Sequence, residues 1–167
     1  YHDMNEDQKE LLKKNYNTCK KGRSDYCYAF IEASINSLAM RGKMAYLVPY
    51  SIMTNKFAEE LRKFVQPYIT KIYDYRTIKI FPEATTSSVI LGCENEIDKG
   101  NILYHLVAEE RMLEIPKEQL GKKWIILGKQ NVSGKKFGEY FEVKNSVATL
   151  YNEAFVLKEY EYKDQEY

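Results

Sequence analysis

Between Glu6 and Cys93 the spacing of apolar residues switches repeatedly between a helical and a strand period. Residues 1–16 are highly charged, with Leu11 and Leu12 as the main apolar anchors and Tyr16 one turn further on. Glu6 precedes Lys9 by three residues, and Glu10 precedes Lys13 and Lys14 by three and four, which predicts a solvated helix with weak ion pairs. Ser24 is a good cap for a second helix, with Asp25 in its first turn. Cys27, Ile31, Ile35 and Leu38 then fall on one helical face, up to about Ala39. The run from Lys43 to Val48 is short and mostly apolar, bounded by Gly42 and Pro49, and predicts a strand covered on both faces. Thr54 or Asn55 can cap a third helix, whose Phe57, Leu61 and Phe64 are expected to face the sheet and which Pro67 ends.

Two β patterns follow. Ile69 to Tyr75 alternates, and Thr85 to Cys93 holds the run Ser87-Ser88-Val89-Ile90-Leu91. Their link is about ten residues without a helical pattern, so they are expected to pair antiparallel, since a parallel crossover usually needs a helix. Helix, apolar strand, helix is the local signature of an α/β sheet. Such sheets place ligands at the carboxyl ends of their strands, which directs attention to Pro49, Tyr50 and Ser51. A charged stretch with Gly100 marks a boundary, dividing the chain into residues 1–97 and 98–167. Beyond it Ile102 to Ala108 alternates, Trp124-Ile125-Ile126-Leu127 is apolar, and short β runs are expected around 137–143 and 152–157. The charged, tyrosine-rich tail 158–167 is expected to fray.

Composition narrows the chemistry more than it names it. Hydrophobic residues make up 44% of the 167, enough for a core. The net charge of +1 gives no global argument for nucleic acid, though a local basic face can hide in a balanced total. Three cysteines (Cys19, Cys27, Cys93) without a CxxC motif, and only two histidines, argue against a disulfide framework and against a metal site. They are read as reduced thiols in a cytoplasmic protein. No apolar run approaches the roughly 20 residues of a membrane span. Fifteen tyrosines fit either an aromatic core and surface or platforms for base stacking. The loop 17–23 holds Lys20, Lys21 and Arg23, either an ordinary polar connection or contacts to a phosphate backbone.

Four blocks in order give the chain a family resemblance. Lys21-Gly22-Arg23-Ser24-Asp25-Tyr26-Cys27-Tyr28-Ala29-Phe30-Ile31-Glu32 resembles a K-G-x-x-D-L-Y-x-x-F-x-E helix start. Arg41-Gly42-Lys43 through Pro49, then Leu61-Arg62-Lys63-Phe64, resembles a G-G-x-x-x-x-x-x-P strand and the L-R-x-F helix after it. Ile80-Phe81-Pro82-Glu83-Ala84-Thr85 with Val89-Ile90-Leu91 resembles a V-F-x-x-A-T hairpin. Gly138 to Val143, then Asn152 to Val156, resembles the opening of a target-recognition domain. Together they are similar to the N6-adenine DNA methyltransferases of type II restriction–modification systems.

That resemblance implies an α/β fold: a partial methyltransferase-type sheet of three mixed strands with flanking helices, the reversed strand in the middle, followed by a mainly β segment. It implies double-stranded DNA as partner, no membrane, and S-adenosyl-L-methionine as cofactor. The family's glycine-rich cofactor loop and its N-P-P-Y loop are not in this sequence. The chain is therefore expected to be the second half of a catalytic domain, with the start of a recognition domain, inactive alone. Phe81 matches the ring that stacks on a flipped target base; read without the family it is a core residue closing the hairpin. Pro49, Tyr50 and Ser51 either line the cleft or merely turn the chain. Asp74 stands in its strand with no partner evident from sequence. The strand 43–48, lacking a neighbour on one side, is expected to promote self-association. A non-catalytic DNA-recognition or assembly module, and an α/β domain of unrelated function, are the competing readings.

Overall fold

The computed structural model describes residues 4–83, 86–96, 100–126 and 139–142. Contacts divide the chain into two units, Tyr1–Gly128 and Lys129–Tyr167. In the second, Tyr140 and Phe141 are exposed, with ring centroids 6.4 Å apart. Of the β run expected at 137–143, residues 139–142 are described and are not strand; the run expected at 152–157 and the tail lie outside the described residues.

The first unit is an α/β assembly on one five-stranded mixed sheet. Its strands are β1 (Lys43–Pro49), β2 (Ile69–Asp74), β3 (Ser88–Glu94), β4 (Asn101–Leu106) and β5 (Arg111–Pro116), in the spatial order β1-β3-β2-β4-β5. β3 runs antiparallel to both β1 and β2, so the reversed strand lies between them, as expected. β4 is parallel to β2, and β5 returns antiparallel along β4. The boundary expected near residue 97 thus falls between two strands of one sheet, and the compact unit runs on to Gly128.

One face of the sheet carries the core. Val48 of β1, Ile69 and Ile72 of β2, Val89, Leu91 and Cys93 of β3, and Ile102 and Tyr104 of β4 are all buried. Ile31 and Ile35 of α2 (Tyr26–Ser37) and Leu61 and Val65 of α3 (Glu59–Val65) join the same cluster. The opposite face exposes Leu47, Leu103 and Met112. β1 therefore alternates, with Ala45 and Leu47 exposed, and is not covered on both faces. An apolar run reports hydrophobicity on both sides of a strand, not whether anything packs there.

Local chemistry accounts for the helices. α1 (Glu6–Asn15) starts in a capping box: Asn5 accepts from the Gln8 amide, and Gln8 accepts from the Asn5 amide. The cap of α2 is Asp25, which accepts the Cys27 amide hydrogen at 2.8 Å. Ser24, expected in that role, is buried and donates to the Cys19 carbonyl instead. Asn55 caps the short turn Lys56–Ala58 that leads into α3. Phe57 sits in that turn, partly exposed, rather than on the sheet. Its ring packs over Gly22, where an added Cβ would lie 2.7 Å from Phe57 Cδ1.

Candidate functional site

The parallel strands β1, β2 and β4 end together. Pro49 pairs with Ser88, and Asp74 pairs with both Val89 and Leu106, so three carboxyl ends meet along one edge. In α/β sheets this is the edge that receives ligands. Three connections leave it: the segment after Pro49, the loop from Tyr75 to Ser87, and the turn after Leu106.

A polar network joins the first two. Arg76 Nε lies 2.8 Å from Asp74 Oδ2, and the Arg76 amide donates to Asp74 Oδ1 at 2.8 Å. Arg76 Nη1 donates to Tyr50 Oη at 3.0 Å, with the guanidinium 5.1 Å from the Tyr50 ring centroid. The Tyr104 hydroxyl donates to Asp74 Oδ2. Burial and the hydrogen bond to the Asp74 carboxylate raise the Tyr104 phenol well above its ordinary value, so it remains a donor. The Ser87 hydroxyl donates to the Arg76 carbonyl, and the Tyr50 amide to the Ser87 carbonyl. Asp74, without an evident partner in the sequence, is thus held by Arg76 and Tyr104. Neither partner was singled out there: Arg76 lies only two residues further along the chain, whereas Tyr104 is brought in by the pairing of β2 with β4.

The structure places the named candidates on these connections. Tyr50 enters the network directly. Pro49 and Ser51 flank it, both exposed. Phe81 is 50% exposed in the loop between β2 and β3, not a buried plug. Among residues 77–83 of that loop no side chain is buried, and Ala84 and Thr85 lie outside the described residues.

The basic loop is built with more care than its sequence suggests. Gly22 adopts φ +73°, the left-handed region that favours glycine, and the Phe57 ring leaves no room for a side chain. Buried Glu32 accepts from the Asn17 amide at 3.0 Å and the Thr18 amide at 2.8 Å, fixing the turn Asn17–Cys19 that opens the loop. Lys20 donates to Asn17, Lys21 pairs with Glu60 at 3.1 Å, and Arg23 lies over Phe57 at 5.5 Å from the ring centroid. Through Phe57 the loop touches the connection that follows β1.

That connection is clamped from within. Arg62 is 3% exposed and donates to the carbonyls of Ile52 at 2.6 Å, Asn55 at 2.8 Å and Lys122 at 2.7 Å. Gln66 donates to the Lys117 carbonyl, and the Trp124 amide to the Met53 carbonyl, so residues 117–124 are strapped across α3.

Cofactor binding of the expected kind would need a glycine-rich loop after a strand, where bare backbone can approach a ligand. Gly22, Gly42, Gly92 and Gly121 stand singly, and none follows the carboxyl end of a parallel strand. These residues do not fit a cradle for S-adenosylmethionine. Among the described residues no three His, Cys, Asp or Glu side chains converge on a point where a metal could sit, and no helix is long and apolar enough to cross a membrane.

The class defined by this fold is a mixed α/β sheet of partial methyltransferase type. The model of the Eco57I restriction-modification methylase family matches residues 1–81, which runs from α1 through β2 to the loop bearing Phe81. Over that segment the chain is similar to restriction–modification methylases. No curated protein matches the chain significantly.

Proposed function

We propose that this chain is part of a DNA methyltransferase that moves a methyl group from S-adenosylmethionine to the N6 amine of adenine in a specific DNA sequence, in the cytoplasm, as part of a restriction–modification system. The match over residues 1–81 carries the reading, and the exposed ring of Phe81 beside the carboxyl edge supports it. The amine of a paired adenine lies inside the duplex, so the base must leave the stack to react. Phe81 supplies an aromatic face for the flipped base, a contact of about 1–3 kcal/mol that offsets part of the unstacking cost. Pro49, Tyr50 and Ser51 line the cleft beside it, and Lys20, Lys21 and Arg23 meet phosphates. Lys21 would exchange its exposed pairing with Glu60 for a phosphate at little cost.

No Asn-Pro-Pro-Tyr sequence occurs in the chain. The acceptors for the adenine amine, and the cofactor cradle, therefore belong to protein outside residues 1–167, and the isolated chain is inactive. Residues 1–97 serve the catalytic domain, β4 and β5 complete its sheet, and the remainder of residues 98–167 leads to a target-recognition domain. Among the described residues β1 has one strand partner, β3, and its other edge, at residues 43–48, promotes pairing with a second copy. A monodisperse monomer of the isolated chain in sedimentation would contradict that last point.

The central test is a methyl-transfer assay with the full-length protein, S-adenosylmethionine and mixed-sequence plasmid DNA, read by analysing digested nucleosides. N6-methyladenine from the wild type, much less from Phe81→Ala and none from residues 1–167 alone is the expected result. A folded full-length protein that binds DNA yet methylates nothing would point instead to a non-catalytic recognition module.

A further inference from the structure

The loop that carries Phe81 is oriented from its ends. Among its described residues 77–83 only Ile78 and Ile80 are half-buried and the rest are exposed, so packing holds it weakly. Anchorage comes instead through Arg76 and Ser87. Arg76 binds Asp74 through both its side chain and its amide, reaches the Tyr50 hydroxyl and ring, and accepts the Ser87 hydroxyl on its carbonyl. Ser87 in turn accepts the Tyr50 amide. Asp74 is buried and is held by the Tyr104 hydroxyl from the neighbouring strand β4.

We propose that Arg76 is a positioning residue for Phe81: its side chain ties the start of the loop to Asp74 and the Tyr50 turn, while Ser87 ties the end, so that the ring is presented to a flipped base in one orientation. The inference rests on the stacking role given to Phe81 above. A half-exposed arginine suits the task. Its planar fork engages a carboxylate and a phenol at once and stacks on the ring, a combination that lysine cannot reproduce. Placement matters because a misplacement of about 1 Å far from the reacting atoms can cost roughly a hundredfold in rate.

The test uses the full-length protein with S-adenosylmethionine and plasmid DNA, measuring kcat and the KM for DNA. Arg76→Ala is expected to lower kcat by about tenfold or more while changing the KM less than about twofold. Arg76→Lys is expected to recover little of that loss. Tyr50→Phe keeps the ring and removes one acceptor, so it should lower kcat by a few-fold, on the order of one lost hydrogen bond, without altering folding. The deciding measurement is the double variant. If Arg76 acts through Phe81, Arg76→Ala with Phe81→Ala is no slower than Phe81→Ala alone. Multiplied losses would overturn the inference and leave the stacking role standing. Wild-type rates for Phe81→Ala would overturn both. Should Arg76→Ala fail to fold, Tyr50→Phe combined with Phe81→Ala decides in the same way.

Discussion

Arg62 and Arg76 both hold the chain that follows β1, but they do so in different surroundings. Arg62 is buried and binds only backbone carbonyls, those of Ile52, Asn55 and Lys122. Arg76 is exposed over about a third of its side chain (37%) and binds Asp74 and Tyr50. Burial lowers the Arg62 pKa from its ordinary value, yet a guanidinium stays charged under any relevant condition; its hydrogen bonds go to carbonyl dipoles, and the Glu59 charge opposes the cost of burial. The first arginine fixes the fold around Ile52 and Asn55. The second fixes the edge of the sheet where chemistry is proposed. The same side chain serves stability where it is enclosed and orientation where it stays within reach of a ligand.

Substitution separates the two roles, and the largest effect is expected at Arg62. Arg62→Ala orphans three carbonyls and releases residues 117–124 from α3, at a cost of about 3 kcal/mol or more in urea unfolding. A loss below about 1 kcal/mol would remove the distinction drawn here, since that is what an exposed polar contact contributes. Gly22→Ala comes next. Its positive φ and the nearby Phe57 ring together predict a loss of about 1–3 kcal/mol, measured in the same way. Repeating it in a Phe57→Ala background should remove the steric part and leave the backbone part, roughly 1 kcal/mol.

Alkaline pH sharpens the contrast between enclosed and open regions. Burial pushes the Cys93 thiol up to about 12 and the Cys27 thiol up to about 11, from an ordinary 9.0. The folded protein then keeps protons that the unfolded chain releases, so ΔG of unfolding falls as pH rises from about 9 through 12. Below pH 9 this contribution is complete and flat. Cys93→Ala should flatten part of the alkaline slope, read from melting temperatures across that range. The smallest effect on stability is expected at Phe81. With half its surface in solvent, Phe81→Ala should change stability by about 0.5 kcal/mol or less. A loss of more than about 2 kcal/mol would mark the ring as a packing residue and weaken its assignment to a base.

Much of the frame was legible before the fold. The strand after Gly42, the antiparallel pairing of the next two β runs and the place of the reversed strand all follow from spacing, loop length and family likeness. The motif residues also have local reasons. Gly22 is required by its dihedral, Asp25 by the Cys27 amide, and Glu32 by the amides of Asn17 and Thr18. Other features were not legible. β5 was not anticipated, because Arg111–Pro116 mixes charges with apolar residues and gains its strand form by pairing with β4. Ser24 was expected to cap α2 with Asp25 in the first turn, but the Ser24 hydroxyl is taken by the Cys19 carbonyl and Asp25 is the cap.

Sequence alone determined which segments are helix or strand over most of the first hundred residues, and which of their faces are apolar, because both properties repeat along a few neighbouring residues. Tertiary structure decided that Asp74 meets Tyr104, that Arg76 meets Tyr50, and that Arg62 reaches Lys122. Those partners stand 30, 26 and 60 residues apart in the chain. Strand order brings the first two pairs within hydrogen-bond distance and the strap of residues 117–124 across α3 brings the third, and neither is encoded in any single stretch. Apart from the local bonds between Asp74 and Arg76, the proposed site is made of such contacts, whereas the elements that carry it are made of local ones.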